Sequence, residues 1–144
     1  MENLSNFPQR LKELMDEHDL RSEGLANKSG VAGSSIRAIL RGEALPTLSS
    51  AVKLADYFCC SLDYLVGRTD KIEEVNPRAL PSFYEHLRAV MNELGVKRYE
   101  ITKNTSVNDT CFTNWKHGAQ PGLVNLCILA KYMKISLDEL VGRA

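Results

Sequence analysis

The chain lacks any long apolar run, any paired cysteine motif and any net charge, and only 7% of its residues are aromatic. No stretch approaches the roughly 18–20 apolar residues that cross a bilayer, and the opening MENLSNFPQR lacks the charged-then-apolar layout of a secretion signal. A cytoplasmic protein with no membrane contact is expected. Cys59, Cys60, Cys111 and Cys127 form no CxxC pair and sit inside apolar segments, the pattern of buried free thiols and not of a disulfide framework or zinc site. His18, His86 and His117 are scattered without ligand spacing, so structural or solvated rings are expected and no metal. No nucleophile, general base and oxyanion donor cluster together, and no glycine-rich phosphate loop is present. The expectation is a protein that is not an enzyme, with no cofactor and no small-molecule substrate.

Charge is balanced in total and nearly so in each half. The 18 basic and 18 acidic side chains cancel; residues 1–70 carry 8 Lys and Arg against 10 Asp and Glu, and residues 71–144 carry 10 against 8. A polyanionic partner would therefore have to be met by a local basic face, since the net charge attracts none.

What the chain does contain is a repeated phrase. SLDYLVGR at residues 61–68 returns as SLDELVGR at 136–143, and with that offset of 75 residues 46–68 match 121–143 at 12 of 23 positions. Upstream, at an offset of 76, Phe7, Leu11, Met15, Val31 and Gly42 fall on Phe83, Leu87, Met91, Val107 and Gly118. Two copies of one structural unit are expected, at residues 1–68 and 82–144, joined by a linker at 69–81 that holds Pro77 and Pro81.

Each unit reads as short helices. Leu11, Leu14 and Met15, and then Val52, Leu54, Ala55 and Phe58, keep apolar groups on one helical face, and no alternating run supports a strand. Ser82 with Glu85, and Ser136 with Glu139, have capping-box spacing; Gly67 and Gly142, and likewise Gly42 and Gly118, stand where helices end on a left-handed residue. These signals place helices near 7–18, 22–29, 33–41, 48–58 and 62–66, then near 83–94, 98–105, 109–117, 123–133 and 137–141. A helix over 33–41 that uses Ile36, Ile39 and Leu40 for the core turns Gly33, Ser34, Arg37, Ala38 and Arg41 outward. Trp115, at the position of Ile39, reads as core and not as a stacking platform. Leu62, Leu65 and Val66, and Leu137, Leu140 and Val141, form apolar faces that could exceed what a small unit covers, which would favour a homodimer.

LRSEGLANKSGVAGSSIRAILRG, residues 20–42, resembles the helix-turn-helix of the lambda-repressor or Cro type. LPTLSSAVKLADYFCCSLDYLVGR, which follows it, resembles that family's fourth and fifth helices. The likeness covers residues 7–68 and, through the repeat, 83–143. It implies an all-α chain of two tandem five-helix lambda-repressor-like helix-turn-helix domains whose partner is double-stranded DNA, commonly bound as a two-fold homodimer. In this family the second helix of the motif enters the major groove. The base-reading positions then fall on Gly33, Ser34, Arg37 and Ala38, and on Asp109, Thr110, Thr113 and Asn114. The DNA-binding positions implied by the resemblance also include Ser22 and Arg41, and Lys97, Arg98, Lys116 and His117. The family usually opens its second helix with serine or threonine and then glutamine; here Arg21-Ser22 and Lys97-Arg98 stand there, and Ser106 replaces the turn glycine. Asp109 would face phosphate, and could accept in the groove from a cytosine amino group. Two functions remain: a sequence-specific transcriptional regulator, most simply a repressor of bacterial or phage type, or a repressor-fold module for dimerisation or antitoxin-like partner binding that has lost DNA contact in one or both units.

Overall fold

The computed structural model describes residues 6–144, and among these every regular element is a helix. Contacts divide the chain into two compact units, one ending at Pro77 and the other running from Arg78 to Ala144. Helices α1 (Asn6–Glu17), α2 (Ser22–Ser29), α3 (Gly33–Leu40), α4 (Leu48–Phe58) and α5 (Leu62–Val66) build the first unit. The second holds α6 (Phe83–Leu94), α7 (Arg98–Asn104), α8 (Asp109–Lys116), α9 (Leu123–Met133) and α10 (Leu137–Val141). No helix of the described residues is long and apolar enough to cross a membrane.

In the first unit α1 packs on α3 and α5, and α2 on α3 and α4. Phe7, Leu11, Leu25, Ile36, Leu54, Leu62 and Leu65 are fully buried there, each removing apolar area worth roughly 1.5–3 kcal/mol from water. In the second unit α6 packs on α8 and α10, with Leu87, Ile101, Leu126, Leu129, Leu137 and Leu140 fully buried. Trp115 is core, as its period implies, and meets Phe83 and Phe112 edge-on at 5.3 Å in both cases. Leu40 is only half-buried, so α3 anchors through Ile36 and Ile39.

The repeated phrase is a helix that carries its own ends. Ser61 and Ser136 accept at their hydroxyls from the amides of Tyr64 and Glu139 at 3.0 and 2.9 Å. Gly67 and Gly142 close α5 and α10 at φ 89° and 93°, a backbone that a side chain would strain. The terminal arginine then turns back: Arg68 pairs with Asp63 and Arg143 with Asp138. The apolar residues between these ends, Leu62, Leu65, Val66, Leu137, Leu140 and Val141, are all at most 2% exposed. The excess of exposed apolar surface expected at α5 and α10 is therefore not observed.

Two further expectations need correction or refinement. Ser82 makes no capping hydrogen bond; its backbone, at φ −55° and ψ 131°, is turned away from the more extended conformation of the working caps Thr47, Ser61 and Ser136. Within the expected linker, Thr69 and Asp70 are held by Arg10, and Val75 donates to the Cys59 carbonyl at 3.0 Å. Arg78, by contrast, donates from Nε to the Gly142 carbonyl at 2.8 Å, and Pro81 lies beside Gly142.

Candidate nucleic-acid interface

Apolar side chains underlie both α2–α3 and α7–α8, and in both turns a hydroxyl, that of Ser29 or Thr105, accepts from the valine amide, but α2 and α7 end differently. In the first unit Gly30 ends α2 at φ 83° with its amide on the Ala26 carbonyl, and Val31, 3% exposed, plugs the turn. In the second, Thr105 is extended and its hydroxyl does the work: Oγ1 donates to the Ile101 carbonyl at 2.7 Å and accepts from the Val107 amide at 3.1 Å. The turn needs no left-handed residue, which is how Ser106 stands where the first unit has glycine.

On α3 the burial of Ile36 and Ile39 leaves Ser34, Ser35 and Arg37 exposed, with Gly33 and Ala38 half-buried. Arg37 lies back over the helix start. A Cβ at Gly33 would sit 3.2 Å from its Nη1, so the bare glycine gives the guanidinium its seat. Arg41 is not a free cation: Nε and Nη2 donate to the two carboxylate oxygens of Glu43 at 2.8 and 3.0 Å. The hydrogen bond from Arg41 holds the Glu43 carboxyl below the usual carboxylate range. Ser22 is the half-buried first residue of α2, behind Arg21 at the cap.

On α8 the exposed residues are Asp109, Thr110, Thr113, Asn114 and Lys116, followed by exposed His117 at the helix end. Asn108 caps the helix, accepting at Oδ1 from the Cys111 amide at 3.0 Å. Arg98 joins α7 to α8. Its Nε donates to Asp109 Oδ1 at 2.9 Å, its Nη2 to the Asp109 carbonyl at 3.1 Å, and its guanidinium lies 4.9 Å over the Phe112 ring. Two of the expected DNA-binding residues are therefore partners of each other. Lys97, the cap of α7, is exposed, and its amide donates to Glu100 Oε1 at 2.7 Å.

The sequence does not point to Glu43 or Phe112, although both decide what a neighbouring arginine can do. The eleven-residue step from Arg98 to Asp109 is folded into contact by the turn between α7 and α8. Formal charge is positive in the α2–α3 and α7–α8 stretches. Residues 21–43 and residues 97–118 each hold four Lys or Arg and two Asp or Glu, so both stretches are basic within a neutral chain.

A helix-turn-helix family model matches residues 11–65, which contain α2, the turn and α3. The chain is similar to an uncharacterized HTH-type transcriptional regulator of Haemophilus influenzae, 40% identical over 112 residues that span 74% of this chain and 46% of that protein. It is also similar to the uncharacterized HTH-type transcriptional regulator YobD of Bacillus subtilis, 39% identical over 74 residues that span 49% of this chain and 66% of that one. The chain thus spans between about half and two thirds of the length of these relatives.

Proposed function

The chain belongs, through residues 11–65, to the helix-turn-helix family, and from that premise we propose that it is a cytoplasmic, non-enzymatic transcriptional regulator that binds double-stranded DNA sequence-specifically, most simply as a repressor. The observation that carries this reading is α3, whose apolar side is buried and whose open side presents Ser34 and Arg37 next to half-buried Gly33 and Ala38. Such a helix can lie close in a major groove. Arg37 can donate to guanine or to phosphate, Ser34 to either base type, and Ala38 can touch a thymine methyl. On α8 the same work falls to Thr110, Thr113 and Asn114, and Asn114 suits adenine. Because the two faces share no residue, the two units read different sequences.

Phosphate contacts are few. Arg41 is paired with Glu43 and Arg98 with Asp109, so the salt dependence is shallow, with log K falling by about 0.9 per log unit of salt for each phosphate neutralised. Binding selection on random duplexes, followed by anisotropy titrations at several salt concentrations, tests the reading. Arg37→Ala weakens binding; failure to bind any duplex at low salt ends it. Those same two ion pairs favour the second reading, a partner-binding module, and that outcome would select it. A homodimer belongs to the first reading because operators of such proteins are commonly two-fold. Light scattering checks this: a monomeric mass with one chain per operator replaces the dimer with one chain spanning both half-sites.

A further inference from the structure

We infer that Asp109 selects cytosine in the sequence read by the second unit, with Arg98 as its positioning residue; the inference rests on the DNA-binding reading above. Asp109 is the first residue of α8 and its side chain is 77% exposed. It stands in the turn whose residues meet base edges when such a helix docks in a groove.

A bare carboxylate there would be repelled by phosphate. Here the charge is answered from the neighbouring helix, because the Arg98 guanidinium grips both Oδ1 and the backbone carbonyl of Asp109 and is seated on Phe112. The pair is neutral as a unit, and the two-point grip limits how the carboxylate can turn. Oδ2 takes no part in the ion pair, and Nη1 of Arg98 makes neither of these bonds, so one acceptor and one donor remain for DNA.

The identity of the base follows from donor and acceptor chemistry. An ionised carboxylate only accepts. Guanine offers the major groove two acceptors, and thymine an acceptor and a methyl group. Adenine offers its amino donor beside the N7 acceptor. Cytosine offers an amino donor with no acceptor next to it. A carboxylate is thus repelled by guanine and thymine, half-opposed by adenine and unopposed by cytosine. The device is private to this unit, since the repeat places Ser22 and Gly33 at the matching positions of the first.

The test is binding selection with the full chain and with Asp109→Asn, an isosteric change at an exposed site, each checked for helix content and melting by circular dichroism. The wild type should select a cytosine that, changed to thymine, weakens binding about tenfold, as a single base-edge contact does. Asp109→Asn should lose that requirement or move it to adenine, while Asp109→Glu keeps it. Arg98→Ala should blunt the cytosine preference, because the guanidinium then no longer holds the carboxylate. An unchanged selection by Asp109→Asn overturns the inference, as does uniform tightening on every duplex, which would mean that the carboxylate only repels. If the wild type selects no duplex at all, the DNA reading itself falls.

Discussion

Replacing Arg143 with methionine should destabilise the second unit far more than Arg68→Met destabilises the first, although the two arginines end the same eight-residue phrase. The difference is burial. The Arg143 and Asp138 side chains are 1% and 4% exposed, whereas those of Arg68 and Asp63 are 23% and 11% exposed. Removing one partner of a buried ion pair costs about 3–5 kcal/mol. Where water reaches the pair, the cost falls toward the ~0–1 kcal/mol of surface pairs, and we expect about 1–2 kcal/mol for Arg68→Met. For a domain of 60–100 residues each kcal/mol moves the melting temperature by roughly 4–8 °C. Arg143→Met should therefore lower one calorimetric transition of the full chain by at least about 12 °C, a large share of the ~5–15 kcal/mol that small domains possess. Asp138→Leu combined with Arg143→Met should recover most of the loss, because an apolar pair of similar volume removes both buried charges together. Equal losses from Arg68→Met and Arg143→Met, or no recovery in the double variant, would refute the reasoning.

Three other outcomes are expected. Gly142→Ala should cost clearly more in urea unfolding than Gly118→Ala: both residues have positive φ, 93° and 98°, but a Cβ at 142 would lie 2.7 Å from Pro81 Cδ while that at 118 meets open space. The Lys97 amide, and after it the Tyr132 hydroxyl, hold the Glu100 carboxyl below its ordinary value. Its folded value being the lower one, the stability it supplies is present above the usual carboxylate range and lost as pH falls through the folded value, so Glu100→Gln should flatten the loss of stability in acid melts. Glu43→Gln should release Arg41, tightening binding to every duplex and steepening the salt slope by about 0.9 if that guanidinium then reaches a phosphate; an unchanged slope places Arg41 away from the backbone.

Most of the fold was legible because its causes are local. Apolar spacing marks the buried side of each helix, and the Ser and Gly at the ends of α5 and α10 act within their own turns, so the expected bounds differ from those seen by no more than a residue. Where a neighbour decides, the signal disappears. Cys59 and Lys134 end α4 and α9 at φ 52° and 59° without a glycine to announce it. Ser82 has the letters of a capping box but lacks the backbone angle that would aim its hydroxyl. Neither effect is written in the spacing of residue types.

The site divides along the same line. Which residues of α3 and α8 face outward follows from the helical period, because Ile36 and Ile39, or Phe112 and Trp115, can occupy only one side. What those residues are free to do depends on pairs that form across a turn or between helices. Arg41 and Arg98 look alike in sequence to Arg37, yet each already holds a carboxylate, whereas Arg37 rests over a glycine and has no ion-pair partner among the described residues. A neutral chain can therefore still favour DNA, through one unpaired guanidinium on α3 and a neutralised carboxylate at the head of α8. On the proposed function, the first unit then gains affinity from Arg37, while the second gains discrimination from Asp109 without the penalty of an open negative charge.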